Sequence, residues 1–220
     1  MKPLAFVPFL LSVVACSDAP PEDAALLAIG DSLLDFNRPD EDIATVMADA
    51  LSITHAFGAE GGTTLMGDEG YAIPDQYVRG DYELLLVSGG GNDLGEGCVC
   101  GDNCDPIVDQ LVSDDGTYGV ARDLVDRAID DGLQVVWVGY MRPMADAEEF
   151  STCGGELDIL RSRMAQMDNE LTDMVFVDGV TIGDGSDASL YAPDGYHPST
   201  AGSAALGLEA ATRASDAFGL

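Results

Sequence analysis

The sequence predicts a single α/β domain, a three-layer α/β/α sandwich around a central five-stranded parallel sheet. Short apolar runs rich in Val, Ile and Leu recur along the chain with little polar alternation, as in strands that are buried on both faces. Segments with helical apolar spacing lie between these runs, and alternating strands and helices are typical of parallel sheets with right-handed crossovers. The chain has 220 residues, of which 46% are apolar, and this is enough for one well-buried domain.

The predicted strands are apolar runs of strand length, bounded by polar or glycine-containing segments. In chain order they are Leu26–Ile29, residues 53–57, Leu84–Val87, residues 133–138 and Met174–Val177.

Four helices are predicted from apolar residues that recur at helical spacing. The first spans residues 42–51, the second carries Val120, Leu124 and Ala128, the third carries Leu157, Leu160, Met164, Met167 and Leu171, and the fourth spans residues 199–214 after Pro198. The methionines at this spacing are expected in the core rather than around a cofactor, because flexible Met side chains fill gaps between packed elements.

Four short segments carry the groups that acyl transfer needs: residues 30–33 (GDSL), 61–63 (GGT), 90–93 (GGND) and 194–198 (DGYHP). A serine hydroxyl is a poor nucleophile at neutral pH, so it needs a base that a third group holds in the correct tautomer. Ser32 is the candidate nucleophile and His197 the candidate base. Asp194 lies three residues before His197, and one turn of chain would bring its carboxylate to the imidazole Nδ1.

The other two segments supply candidate donors for the oxyanion of a tetrahedral intermediate. The backbone N–H groups of Ser32 and Gly61 and the side-chain amide of Asn92 form the predicted oxyanion hole. Asp31 and Asp93, which flank these groups, are expected to order their loops through short-range hydrogen bonds rather than to transfer protons.

This ordered set of segments resembles the SGNH subgroup of the GDSL esterase/lipase family, and the resemblance spans roughly residues 24–213. It implies the flavodoxin-like SGNH hydrolase fold, Ser32 as nucleophile, Gly61 and Asn92 in the oxyanion hole, and Asp194 and His197 as the other triad members. It implies no metal, nucleotide or redox cofactor. The chain departs from the family pattern after Leu33, where residues 34–37 read LDFN instead of a small hydroxyl residue soon followed by glycine.

The predicted order of elements allows these groups to meet. Ser32 follows the first strand, Asn92 follows the third, and Asp194 and His197 precede the last helix. Because parallel sheets bind ligands at the carboxyl ends of their strands, we expect the four segments to converge at one edge of the sheet.

The N-terminus predicts export. Lys2 precedes an apolar stretch that ends at Ala15 and is too short for a permanent membrane helix. Residues 13–16 (VVAC) are similar to a bacterial lipobox, which predicts a signal peptide over residues 1–15, a lipidated Cys16, a polar tether over residues 16–23 and one hydrolase domain over residues 24–220. A serine directly after the cysteine favours the outer membrane of the cell envelope. The alternative is an ordinary secretory signal that is cut slightly later.

Four further cysteines, Cys98, Cys100, Cys104 and Cys153, predict two disulfides in an exported protein. A bond between Cys98 and Cys100 is disfavoured, because residues two apart rarely offer disulfide geometry. Either Cys98 or Cys100 is therefore expected to pair with Cys104, and the other with Cys153. A zinc site built from the same thiols is the alternative.

The formal charge of −31 excludes several classes of partner. Loss of residues 1–15 removes Lys2 and no acid, which leaves 40 acidic and 8 basic residues and a net charge of −32. Nucleic acids and anionic lipid head groups bind cationic surfaces, so neither is an expected partner. Membrane contact is expected only through the N-terminal lipid. The acidic turn at residues 183–187 lacks the spacing of a calcium loop, and no metal is predicted there.

Together these features predict a serine esterase that forms an acyl-enzyme on Ser32. The expected substrates are small-molecule, glycan or lipid esters with a short acyl group, O-acetyl esters among them. The alternative is a non-catalytic envelope lipoprotein that uses the same cleft to bind a glycan or a protein partner.

Overall fold

The structure, a computed structural model, describes residues 23–100, 104–147 and 149–220. The predicted signal peptide, Cys16 and nearly all of the predicted tether lie outside the described residues.

The predicted five-stranded parallel sheet is confirmed within the described residues. Its strands are β1 (Leu26–Ile29), β2 (His55–Phe57), β3 (Leu84–Val87), β4 (Gln134–Val138) and β5 (Met174–Val177). They pair in the order β2-β1-β3-β4-β5, and every pair is parallel. The order reverses between β1 and β3, and this is where open α/β sheets bind their ligands.

Two strands begin later than predicted, and the cause is the same for both. The N–H of Ile53 donates to the carbonyl of Ala48, and the N–H of Leu133 donates to the carbonyl of Ala128, each at 3.0 Å. The N–H groups of both residues thus satisfy carbonyls in the last turns of the preceding helices instead of pairing in the sheet. As a result β2 begins at His55 and β4 at Gln134.

The four predicted helices are present, and shorter ones accompany them. In chain order the helices are α1 (Ser32–Asp35), α2 (Ile43–Leu51), α3 (Ile73–Gln76), α4 (Gly91–Cys98), α5 (Asp105–Leu111), α6 (Val120–Asp130), α7 (Gly154–Glu170) and α8 (Thr200–Phe218). The unpredicted α1, α3, α4 and α5 are eight residues or shorter, and α4 contains three glycines, which are poor helix formers. None of the helices in the described part of the chain is long and apolar enough to cross a membrane.

Side chains alternate along each strand between two apolar cores, which gives the three layers. On one face Leu27, Leu85 and Trp137 pack with residues of α4, α5, α6 and α7. On the other face Leu26, Leu86 and Val136 pack with residues of α2 and α8. β1, β3 and β5 are buried along their whole length, as the unbroken apolar runs predicted.

The chain enters the sheet beside β2. The N–H groups of Ala25 and Leu26 both donate to the carbonyl of Thr54, and the Thr54 hydroxyl donates to the carbonyl of Asp23. The first described residue, Asp23, therefore lies at the amino edge of the sheet, whereas residues 30–33 leave β1 at the carboxyl edge.

Candidate active site

The turn between β1 and α1 places Ser32 at the first position of α1. Gly30 has a φ of +147°, and a Cβ there would lie 2.8 Å from the Ser88 carbonyl oxygen, so the close approach of β1 and β3 requires glycine. Gln76 of α3 holds this turn, since its Oε1 accepts from the Gly30 N–H at 2.7 Å and its Nε2 donates to the Gly30 carbonyl at 3.0 Å.

Asp31 orders this turn, as expected, and also joins three elements. Its carboxylate accepts from the Leu33 N–H at 3.0 Å and from the hydroxyls of Ser88 at 3.1 Å and Tyr140 at 2.5 Å. Burial raises the pKa of Asp31, and the bonds from Tyr140, Leu33 and Ser88 act against this rise. Burial and the adjacent Asp31 carboxylate hold the pKa of Tyr140 well above its ordinary value, so this phenol stays a neutral donor.

The Tyr140 hydroxyl also accepts from the N–H of Gly91 at 2.9 Å. The first turn of α4 is thereby linked, through Tyr140, to Asp31, whose carboxylate caps α1. Nothing in the sequence around Tyr140 indicated this role, because the contact depends on how β4 and β3 pair.

Asp194 and His197 form the pair that their spacing predicted. Asp194 Oδ2 lies 2.8 Å from His197 Nδ1, and Asp194 Oδ1 accepts from the N–H groups of Tyr196 at 3.1 Å and His197 at 3.0 Å. Burial acts to raise the pKa of Asp194, but the hydrogen bonds from the His197 ring and the two N–H groups outweigh it and lower the pKa. The carboxylate is thus held ionised beside Nδ1, and a proton on Nδ1 leaves Nε2 as the basic nitrogen.

Ser32 and His197 line the same two cavities. No hydrogen bond joins the Ser32 hydroxyl to the imidazole in the described part of the chain. Such bonds are often long without substrate and tighten in the Michaelis complex, so this geometry is compatible with a nucleophile and its base.

Asn92, the second residue of α4, also lines both cavities. Its Nδ2 donates to the Thr63 carbonyl at 2.9 Å, which leaves its second amide hydrogen for another acceptor. The Asp93 carboxylate bonds beyond its own loop: it accepts from the N–H groups of Leu65 at 2.8 Å and Met66 at 2.9 Å, which follow the second segment. Asn92 and Asp93 therefore fix the loop that follows Gly61.

Gly61 lies beside Ser32, but its N–H is already bonded. It donates to Asp35 Oδ2 at 3.2 Å, so a carboxylate occupies the donor that was predicted for the oxyanion. Asp35 belongs to the segment in which the chain departs from the family pattern. That departure was the only feature of the sequence that pointed to a role for Asp35 at this site.

Two spaces adjoin Ser32 and share part of their lining. An open cleft of about 800 Å³ is lined by Gly61, Asn92 and His197 and by three carboxylate side chains, those of Asp35, Glu96 and Glu149. A small inner pocket of about 30 Å³ lies against Ser32 with mostly apolar walls, formed by Leu33, Met141, Pro143, Phe150 and Leu157.

The prediction of two disulfides is confirmed. Cys98 pairs with Cys104 and Cys100 with Cys153, with Cα–Cα distances of 5.3 and 4.6 Å. The zinc alternative is wrong, because all four thiols are consumed in these bonds. Cys100 and Cys153 both line the cleft and tie the end of α4 to the start of α7. Cys16, the predicted lipidation site, lies outside the described residues.

The described residues contain no group of three or more His, Cys, Asp or Glu side chains arranged to hold a metal ion. In the acidic turn, the Asp184 carboxylate accepts from the N–H and hydroxyl of Ser186.

Comparisons with known proteins give structural matches only. No protein-family model matches the chain, and no curated protein matches its sequence. A carbohydrate acetylesterase family member from Sinorhizobium meliloti matches with a TM-score of 0.64 and 18% identity, over 90% of this chain and 100% of that chain.

Two further solved structures agree with this match. A protein assigned as an SGNH hydrolase, from Slackia heliotrinireducens, has a TM-score of 0.62 at 18% identity, over 87% of this chain and 98% of its own. A protein assigned as an arylesterase, from Agrobacterium tumefaciens, has a TM-score of 0.62 at 18% identity, over 88% of this chain and 99% of its own. The sheet order, the positions of the four segments and these likenesses lead to one conclusion: the chain has the SGNH hydrolase fold.

Proposed function

We propose that this protein is a serine esterase that hydrolyses short acyl esters, with O-acetyl esters of sugars as the favoured class. The observation that carries the proposal is the meeting of Ser32, the Asp194–His197 pair and Asn92 around one cavity at the switch point of the sheet.

The reaction divides into two transfers that use the same groups. Nε2 of His197 takes the proton of the Ser32 hydroxyl as Oγ bonds to the acyl carbon, and Asp194 stabilises the imidazolium. The free amide hydrogen of Asn92 and the N–H of Ser32 donate to the oxyanion. The imidazolium returns its proton to the departing alkoxide, which leaves an acyl group on Ser32. His197 then takes a proton from water as the water oxygen bonds to the acyl carbon. The imidazolium returns this proton to Ser32 Oγ as the acyl carbon–Oγ bond breaks, which releases the acid and restores the free Ser32 hydroxyl.

The inner pocket supports a short acyl group. Its volume of about 30 Å³ is only a few times the space that one water needs, so an acetyl methyl fits and a long chain does not. The larger cleft is open to solvent and can receive a bulky alcohol such as a sugar. Its three carboxylates oppose anionic alcohols, and the acetylesterase likeness supports glycan substrates.

The proposal also includes export to the cell envelope, where the predicted lipid on Cys16 would be the membrane contact. What supports it is the apolar N-terminal stretch and the lipobox-like residues 13–16.

A fluorophosphonate probe and a series of p-nitrophenyl esters test the catalytic proposal. We expect covalent labelling of Ser32, hydrolysis that falls from acetate to octanoate, and release of acetate from acetylated sugars. Ser32→Ala should abolish labelling, and His197→Ala should lower kcat about 1000-fold or more. His55→Ala is the matched control, because His55 is the other histidine of the chain and lies in β2, outside the cavities.

A binding role without turnover is the second candidate. Two observations favour it: the Gly61 N–H is held by Asp35, and Ser32 and His197 share no hydrogen bond among the described residues. Unlabelled Ser32 in folded protein, with no hydrolysis of any ester in the series, would refute the esterase and favour this candidate.

A further inference from the structure

The three residues that follow Leu34 each contact a different part of the candidate site. Asp35 accepts from the Gly61 N–H, Phe36 stacks on His197, and Asn37 bonds to the chain after His197. These residues lie where the sequence departs from the family pattern. The family resemblance therefore assigns them no role, and the structure has to supply it.

Phe36 makes the most direct of these contacts. Its ring centroid lies 4.4 Å from that of His197, and the two ring planes differ by 7°, so the rings are stacked face to face. Phe36 is itself fixed to the candidate nucleophile, since its N–H donates to the carbonyl of Ser32 at 3.0 Å. A single residue thus connects the backbone of Ser32 to the face of the imidazole.

Asn37 anchors the same segment on its other side. Its backbone is left-handed, with a φ of +67°, and its Nδ2 donates to the Pro198 carbonyl at 3.0 Å and to the Ser203 hydroxyl at 2.9 Å. Because Pro198 follows His197 directly, these bonds keep the loop that carries the base in contact with the segment that carries Phe36.

The bond to Asp194 alone does not fix the orientation of the His197 imidazole. The hydrogen bond from Nδ1 to Asp194 fixes one atom of the ring, but the ring can still tilt about that bond and move Nε2 relative to Ser32. A stacked neighbour restricts the tilt. When the ring takes the Ser32 proton, the electron-rich face of Phe36 also favours the positive charge.

We propose that Phe36 is a positioning residue, whose stacked ring orients the His197 imidazole toward Ser32 and favours the imidazolium formed in each proton transfer. The inference rests on the proposed esterase function. Tyr196 also contacts the His197 ring, at 4.2 Å and 39°, but its ring is tilted and its hydroxyl bonds to Glu149. The parallel stack is therefore assigned to Phe36.

The kinetic test compares Phe36→Leu, which keeps an apolar side chain without a ring, with Phe36→Tyr, which keeps the ring. Small misplacements of reacting groups cost up to about 100-fold in rate, so we expect Phe36→Leu to lower kcat for p-nitrophenyl acetate about 10- to 100-fold, with KM changed less than about threefold. Phe36→Tyr should recover at least tenfold of that loss. Equal kcat values for the two variants, or a loss confined to KM, would overturn the proposal.

A spectroscopic test needs no turnover. The chain has two histidines, so its ring Cε1–H protons give two signals, and His55→Gln assigns them. A stacked ring shields the protons above its face, so Phe36→Leu should move the His197 signal downfield and Phe36→Tyr should not. An unmoved signal in Phe36→Leu would refute the stack itself. Phe36→Met serves in place of Phe36→Leu if the melting temperature shows that the leucine variant does not fold.

The esterase function and the positioning role of Phe36 are refuted by different outcomes. If Ser32 of the wild-type protein is not labelled and no ester is hydrolysed, the esterase proposal fails. The NMR shift still decides whether Phe36 stacks on the His197 ring. If the wild type is active and Phe36→Leu matches it in kcat, the positioning role alone fails.

Discussion

At the scale of single residues, the carboxylate of Asp35 is the unexpected feature of the site. It accepts from the N–H of Gly61, lies 3.7 Å from the Arg38 guanidinium and is 37% exposed. An anion on this donor opposes the negative charge that develops on a carbonyl oxygen in the same place. Asp35 is therefore expected to restrain the reaction rather than assist it.

Replacement of Asp35 tests this restraint. We expect Asp35→Ala to raise kcat/KM for p-nitrophenyl acetate about three- to tenfold, because it frees the Gly61 N–H and removes a nearby charge. Asp40→Ala is the matched control, since Asp40 is an exposed acid a few residues away that does not line the cleft. A loss of activity in Asp35→Ala would mean that the carboxylate holds Gly61 in its working position.

Residue chemistry at this site was predictable in part. The pairing of Asp194 with His197 follows from a spacing of three residues, and it is local. Phe36 and Tyr140 act through partners far away in sequence, so only the folded chain reveals them. The hydrogen bond that the Gly61 N–H donates to Asp35 also joins residues far apart in sequence, so the sequence did not show that this donor is already bonded.

At the scale of elements, helix α7 separates two spaces. Leu157 in its first turn lines the inner pocket beside Ser32 and also a second small cavity of about 20 Å³ behind it. Tyr140, Met141 and Pro143 complete the shared wall. Under the proposed function, a few side chains rather than the backbone of the fold would limit the length of the acyl group.

Removal of the Leu157 side chain should join the two spaces. We expect Leu157→Ala to raise the octanoate-to-acetate ratio of kcat/KM about tenfold, because each buried methylene of the acyl chain then gains apolar contact. Leu160→Ala is the matched control: it enlarges the rear cavity, which Leu160 lines, without opening the wall of the inner pocket. An unchanged ratio in Leu157→Ala would show that the pocket does not hold the acyl group.

Strands and helices were predictable where the apolar pattern of the sequence indicates which residues are buried. Strands such as β1 and β3 are unbroken apolar runs, and α8 has a clear apolar spacing and a Ser199 cap. By contrast, α4 consists of residues with poor helix propensity, and its start is fixed by Tyr140 and its end by two disulfides. Such a helix is stabilised by tertiary contacts, so the local pattern of apolar residues does not predict it.

At the scale of the whole molecule, charge is the dominant feature outside the apolar cores. Acidic residues outnumber basic ones by 40 to 9. Most arginines are already paired: Arg142 and Arg161, for example, both contact Asp158. The remaining carboxylates repel one another across the surface, and this repulsion lowers the free energy of unfolding.

Added salt should therefore stabilise the protein. We expect the melting temperature to rise by about 3 °C or more between 0.01 M and 0.15 M NaCl, as the Debye length shortens from about 30 Å to about 8 Å. Scanning calorimetry measures the shift, and an uncharged osmolyte at matched osmolarity controls for general solvent effects. A melting temperature that falls with salt would mean that the arginine pairs outweigh the repulsion.

The position of Asp23 beside Thr54 has a consequence for how the protein is presented to its surroundings. Anything attached upstream, whether a purification tag, a solid support or the lipid predicted on Cys16, reaches the domain from the amino edge of the sheet. Ser32 lies at the opposite edge, so we expect the mouth of the cleft to point outward from any such attachment surface. In this orientation the cleft would be accessible to polymers and solutes on the side away from the support. The esters of a supporting bilayer would lie on the opposite side, away from the cleft.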